Sequence, residues 1–285
     1  KIKTIYEAIR DQATDIEVHY AKGCGILDES KDGFAEAVAL AEQSDVVILA
    51  VGGSSARNFD MKFDKNGAAI LDDQQPSDMD CGEGVDVADL KLGGVQEQLI
   101  ETIAAVGKPT IGVVIQGRPY AIESLVDACQ GVICGWYPGA EGSQAIADVL
   151  FGKVNPSGKL SVSIPRSSSQ LPTYYNKKDL GQVLHYHDQP STPLFPFGYG
   201  LSYTTFQYSE LKLSQNNISI SALEKGEKIT IEVTVENTGD YDGSDVVQLY
   251  RYDETSSVTK RVRELKGFQK IHLEPGEKKT VSFQI

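Results

Sequence analysis

One stretch of this sequence crowds nine carboxylates together, at Asp60, Asp64, Asp72, Asp73, Asp78, Asp80, Glu83, Asp86 and Asp89, against three bases, Arg57, Lys62 and Lys65. Crowding of like charges raises the pKa of whichever carboxyl is least solvated, and a carboxyl still protonated near neutral pH can act as a general acid. A plain solvent-facing acidic loop is the alternative, because charge runs generally face water. Other chemistries find less support. Val51-Gly52-Gly53-Ser54-Ser55 follows an apolar run, as a phosphate cradle would, but it has neither GxGxxG spacing nor a Walker lysine. Asp78-Met79-Asp80 opens like a calcium loop without the glycine and twelfth-position Glu that would continue it. His19, His185 and His187 form no HExxH; His185-Tyr186-His187 sets both imidazoles on one side of an extended chain, more a surface or substrate contact than a metal pair. No GxSxG elbow supports serine hydrolase chemistry, and no metal or cofactor is expected.

The elements around that stretch say where it is displayed. Val46-Val47-Ile48-Leu49-Ala50-Val51 is apolar at every position, as a strand buried on both faces is, and a helix is expected to begin near Gly94. Roughly forty residues therefore intervene where two to six are usual. Long insertions at the carboxyl end of a parallel strand are where α/β proteins build their sites. Further strands are expected at Ile16 to Ala21, Pro109 to Ile115, Gly131 to Trp136 and Lys159 to Ile164. Apolar residues three and four apart, as in Phe34, Ala37, Val38, Leu40, Ala41 and in Val95, Leu99, Ile100, Ile103, Ala104, mark the intervening helices, with Gly107 and Gly152 placed to stop two of them. The expectation is an α/β sandwich of sheet and helices, mostly parallel, over residues 1–165. It opens on a helix-like segment, Lys3 to Ala13, so a first strand is expected to be missing.

Beyond residue 206 the apolar period changes to two, as in Ile229, Ile231, Val233 and Val235. With runs at Val246 to Tyr252, Glu264 to His272 and Lys279 to Ile285, and turns at Asp242-Gly243 and Pro275-Gly276, residues 206–285 read as a small antiparallel β-sandwich. About five strands fall short of the seven of a complete one, so truncation is expected. Residues 166–205, rich in Ser, Pro, Gly and Tyr, read as a linker packed along neighbouring domains.

Composition excludes other classes. A net charge of −13 with no basic patch argues against nucleic acid, and the longest apolar run, Asp45 to Gly53, is too short for a membrane span. The chain begins with Lys1 and shows no basic-then-apolar leader, so a processed chain or a piece of a longer one is expected. Cys24, Cys81, Cys129 and Cys134 form no CxxC and read as mostly buried thiols, a Cys24–Cys81 bridge remaining open.

Several motifs in order resemble the C-terminal half of glycoside hydrolase family 3, the β-glucosidase family. They are Gly82-Glu83-Gly84 with Asp89-Leu90 and Gly94-Val95-Gln96; Gln116-Gly117-Arg118-Pro119; Trp136-Tyr137-Pro138-Gly139-Ala140-Glu141-Gly142; Asn155-Pro156-Ser157-Gly158-Lys159-Leu160; and the run from Phe195 to Phe206. Val235-Glu236-Asn237-Thr238-Gly239 and Leu265-Lys266-Gly267-Phe268 resemble the family's fibronectin-III-like appendix.

The resemblance implies a retaining exo-acting β-glycosidase, most plainly a β-glucosidase, whose aspartate nucleophile lies in a (β/α)8 barrel outside this chain. It implies Glu83 as the acid/base, with Arg57, Ser54 and Asp86 as substrate-binding candidates. A β-glucoside or oligosaccharide and the barrel are the expected partners, a homodimer is one assembly left open, and the compartment implied is periplasmic or secreted. The chain alone is expected to be inactive. Alternatives are a β-xylosidase or α-L-arabinofuranosidase of the same family, a non-catalytic carbohydrate-binding module, and a nucleotide-binding sensor. One departure stands out. Where relatives often carry Arg in a Glu-Gly-x-Asp-Arg pattern, this chain has Val87. Less neutralised carboxylates, with raised pKa values, are expected there unless Arg57 substitutes or the loop is arranged differently.

Overall fold

A computed structural model describes residues 2–55, 62–67, 70, 78–179 and 186–285. These divide into two compact units, residues 1–151 with 164–171, and residues 152–163 with 172–285.

The first unit runs α1 (Ile5–Gln12), α2 (Phe34–Gln43), β1 (Val47–Gly52), α3 (Gln96–Ala104), β2 (Thr110–Ile115), α4 (Glu123–Ala128), β3 (Gly131–Cys134) and α5 (Gly142–Leu150). The strands form a parallel sheet in the order β1-β2-β3, with Gly52 opposite Ile115 and Val114 opposite Cys134, so the carboxyl ends of all three lie at one edge. Each helix turns its apolar stripe inward: Leu99, Ile100 and Ile103 of α3 and Ile146 and Ala147 of α5 are buried with Val113 and Val114 of β2. α2 and α4 each pack on α3, while α1 packs on α5. Helix ends follow local chemistry. Thr4 and Glu7 close a reciprocal capping box at the start of α1, and Gly107 and Gly152 take positive φ, 77° and 69°, just past α3 and α5.

The second unit contains β4 (Phe206–Leu213), the short α6 (Ile220–Glu224), β5 (Thr230–Asn237), β6 (Gly243–Arg251), β7 (Glu264–Leu273) and β8 (Lys278–Gln284). Antiparallel sheets β4-β5-β8 and β6-β7 enclose a core of Val235, Val247, Ile271, Leu273 and Val281. The alternation read in the sequence is the alternation of this burial.

Two expected strands are absent from these positions. Ile16 to Ala21 alternates like a strand, yet Ile16 and Tyr20 are both 61% exposed and the segment joins no ladder. Lys159 to Ile164 exchanges hydrogen bonds with an irregular partner instead: Leu160 N–H donates to the Tyr199 carbonyl at 2.8 Å and Gly198 N–H to the Leu160 carbonyl at 2.7 Å. That partner carries Pro196, which has no N–H to extend a ladder. The cysteines also differ from expectation. All four are free thiols and only half-buried, because each sits in a loop or at the end of an element and not in a core-facing stripe.

Candidate active site

Parallel strands end their backbones abruptly at the sheet edge, and this edge is closed by side chains from the segments that follow. Gly52 takes φ 144°, and a Cβ there would lie 1.9 Å from the Ile115 carbonyl oxygen. Its backbone is read on both sides by one side chain: Gly52 N–H donates to Gln96 Oε1 at 2.8 Å, and Gln96 Nε2 donates to the Gly52 carbonyl at 2.8 Å. Gln96, the first residue of α3, thereby ties helix to strand.

Beyond Gly53 the chain returns to the same edge at Asp80. The Asp80 carboxylate, 5% exposed, accepts from the Ser54 N–H at 2.8 Å through Oδ1 and from the Tyr120 hydroxyl through Oδ2. Burial, then the hydrogen bond to Asp80, pushes the Tyr120 hydroxyl far above its usual pKa, so it remains a donor. A side chain at Gly53 would collide with both groups. The Ser54 carbonyl in turn accepts from the Asp80 and Cys81 N–H groups at 3.0 and 3.2 Å.

From this anchorage projects a tight turn. Gly82 and Val85 form an antiparallel bridge, with Val85 N–H donating to the Gly82 carbonyl at 3.2 Å. Gly84 has φ 75°, the left-handed value that a type II turn needs at its third residue. Glu83 occupies the second position and is exposed at the tip. Arg118, from the loop after β2, reaches under the turn. Its Nη2 donates to the Asp80 carbonyl at 2.8 Å and the Val85 carbonyl at 3.2 Å, and its Nη1 to Asp86 Oδ1 at 2.8 Å.

The Arg118 guanidinium, followed by the Val87 N–H, holds the Asp86 carboxyl below the usual range. Of the outcomes left open for the loss of Arg at position 87, a different arrangement of the loop is the one seen at Asp86: its compensating cation comes from the loop after β2.

The end of β3 completes the edge. Trp136 has φ 52°, uncommon for a bulky residue and of a kind that collects at functional sites. A Cβ at Gly117 would lie 2.6 Å from both Cys81 Sγ and Tyr137, so glycine there lets these side chains meet. Burial above all raises the Tyr137 hydroxyl, which lies beside Ser55 and Cys81. Gln116 is 1% exposed, and its carboxamide has no hydrogen-bond partner among the described residues. Farther along, Leu90 N–H donates to Ser168 Oγ at 2.7 Å, and Ser168 Oγ donates to Asp89 at 3.1 Å, pinning the exit of the loop.

Of the residues named from sequence, Glu83, Ser54 and Asp86 thus gather at one sheet edge, Ser54 through its backbone and Asp86 in an ion pair with Arg118. Arg57 lies outside the described residues, as does His185. Sequence reasoning passed over Asp80, Tyr120 and Arg118 as a unit. The signal available was Arg118 within Gln116-Gly117-Arg118-Pro119, directly after a strand end. No group of His, Cys, Asp and Glu among the described residues could hold a metal ion, and no helix among them is long and apolar enough to cross a membrane.

An α/β unit with an acidic turn displayed at the carboxyl edge of its sheet, followed by an antiparallel β unit, is the architecture of a known class. Residues 1–203 match the glycosyl hydrolase family 3 C-terminal domain, and residues 245–285 the fibronectin type III-like domain. The chain belongs to glycoside hydrolase family 3. It is 42% identical to a β-xylosidase of Formosa agariphila, over 95% of this chain and 34% of that protein. To the periplasmic β-glucosidase of Salmonella typhimurium it is 38% identical, over 88% of this chain and 30% of that protein. A β-glucosidase structure from Erythrobacter marinus superposes with a TM-score of 0.82 at 37% identity, over 99% of this chain and 38% of that one. The chain spans about a third of the length of the curated relatives it matches.

Proposed function

We propose that this chain is the acid/base-bearing part of a retaining exo-β-glycosidase that releases terminal β-linked glucose, and that Glu83 is the acid/base. The observation that carries the reading is the position of Glu83, an exposed carboxyl at the tip of a turn anchored to the carboxyl edge of a parallel sheet. Retaining hydrolysis needs two carboxyls about 5–5.5 Å apart. An aspartate of a (β/α)8 barrel outside this chain attacks the anomeric carbon while the Glu83 carboxyl gives its proton to the departing glycosidic oxygen. The Glu83 carboxylate then takes a proton from water as the water oxygen displaces the aspartate and frees the sugar. Asp86, Ser54 and Arg57 are the substrate contacts proposed beside it. A lone acid/base without its nucleophile turns nothing over, so the 285-residue chain by itself is inactive in this reading. A periplasmic or secreted location fits the similarity to a periplasmic enzyme.

A second reading, β-xylosidase or α-L-arabinofuranosidase, is favoured by the relative named β-xylosidase. Hydrolysis of aryl β-glucoside, β-xyloside and α-L-arabinofuranoside by the complete protein, with NMR of the first-formed anomer, tests both. Faster glucoside turnover with retention is the expected result. Preference for a pentoside selects the second reading, and inversion or the absence of turnover overturns both.

A further inference from the structure

Resting on that reading of Glu83, we propose that Arg118 is the positioning residue of the acid/base, a clamp on both legs of the turn that displays it. The legs leave the protein three residues before Glu83 and two residues after it, at the Asp80 and Val85 carbonyls, and one guanidinium nitrogen donates to both, at 2.8 and 3.2 Å. The other terminal nitrogen takes Asp86 at 2.8 Å, so three points of the turn are referred to a single planar group. The Arg118 side chain is only 14% exposed, whereas Asp86 is 95% exposed and cannot be the anchor.

The need for a clamp follows from the chain. The turn comes at the end of a long excursion from Ser54, and the bridge from Val85 to Gly82 fastens the turn only to itself. On the entry side, Ser54 and Tyr120 fix Asp80. On the exit side, Val85 and Asp86 meet the sheet edge through Arg118. Without it the turn is tethered at its ends, at Asp80 and at Asp89 and Leu90, and a shift of about 1 Å in a catalytic group costs on the order of 100-fold in rate. Lysine would keep the charge but not the function. An ammonium on a flexible stem does not reproduce a rigid fork spanning two carbonyls and a carboxylate.

The test separates positioning from general support of the fold by leaving-group dependence. A general acid matters most when the departing alkoxide is a poor leaving group and little when it is a nitrophenolate. In the complete protein, Arg118→Ala and Arg118→Lys are compared with Glu83→Ala on a series running from dinitrophenyl to alkyl β-glycosides, reading kcat/KM. The clamp predicts that both Arg118 variants lose about 10–100-fold on the alkyl substrate, little on dinitrophenyl, and copy the slope of Glu83→Ala in weaker form, with thermal midpoints near wild type. An equal loss across the series means that Arg118 only supports the fold, and a wild-type profile for Arg118→Lys means that charge suffices; either overturns the clamp. If Glu83→Ala itself shows no leaving-group dependence, the acid/base reading fails, and the clamp built on it fails too.

Discussion

Two buried aspartates, one in each unit, meet a tyrosine hydroxyl in nearly the same way and do different work. Asp80 is 5% exposed and bonded to Tyr120 and the Ser54 N–H. Asp245, on β6, is 6% exposed and accepts from Tyr208 at 2.6 Å, but it also has the Lys159 ammonium at 2.9 Å. The lysine neutralises Asp245 where it is buried, and the result is a tie between the 152–163 segment and the β-sheet unit. The Asp80 carboxylate accepts from neutral donors, the Ser54 N–H and the Tyr120 hydroxyl, while Arg118 takes its carbonyl oxygen. What differs is the use of the positive charge. In the second unit it is spent on the buried carboxylate itself, while in the first it is directed at the backbone and at exposed Asp86, next to the proposed acid.

The comparison can be broken most forcefully at Lys159. Lys159→Met leaves Asp245 buried without its counter-ion, and uncompensated buried charges cost about 3–5 kcal/mol. Hydrogen exchange of the complete protein should show protection lost in β6 and β7 and retained around residues 80–86. Unchanged protection of β6 would mean that the ion pair contributes nothing.

The tyrosines sharpen the point. Removing one donor from a buried carboxylate costs about 1–3 kcal/mol. Tyr120→Phe should therefore loosen residues 53–54 and 80–86 more than Tyr208→Phe loosens β4 and β6, where Lys159 remains. The reverse order, by the same exchange measurement, would contradict the assigned roles of the two pairs.

Acid gives a smaller effect of defined sign. Burial works to raise the Asp245 carboxyl, but Tyr208 and then Lys159 outweigh it, and the net pKa is lowered from 3.8. A lowered folded-state pKa contributes stability above the unfolded value that is lost as pH falls through the folded one. Protection of β6 should stay level from neutral pH down to about pH 4–5 and fall only below that. In Lys159→Met burial is no longer offset by the ammonium, so this acid-induced fall should shrink or reverse, and identical profiles for the two proteins would remove Asp245 as its cause. Least of all, Asp86→Asn, which removes the exposed carboxylate of the pair with Arg118, should leave the thermal midpoint unchanged, since ion pairs to an exposed carboxylate add little; a clear drop would show that Asp86, and not the backbone carbonyls, carries the clamp.

Sequence periodicity made the buried strands legible. Thr110 to Ile115 is apolar because both faces are covered, and β5 alternates because one face is wet, whereas in β1, expected to be buried on both faces, Leu49 and Val51 are buried but Ala50 is exposed. Ile16 to Ala21 misled because alternation says nothing of whether a partner strand is at hand. Glu83 is singled out only through the family resemblance carried by Gly82-Glu83-Gly84, since composition alone reads the loop as solvent-facing acid. Arg118 was not assigned its role, because a clamp between residues 80 and 118 is a contact across the sheet edge and leaves no local period. Val87 in the place of a family arginine pointed to a missing cation but not to the loop after β2 that supplies it.

The central claim is tested most directly with Glu83→Ala in the complete protein, assayed on an aryl β-glucoside with a good leaving group, with and without azide. If Glu83 is the acid/base, the glycosyl-enzyme still forms and turnover falls by about 10²–10⁴-fold at its hydrolysis. Azide, which needs no base, should then restore turnover and give the β-glucosyl azide. Activity that is untouched, or lost without rescue by azide, would contradict the account and send the search for the acid to Asp78, Asp80, Asp86 or the barrel.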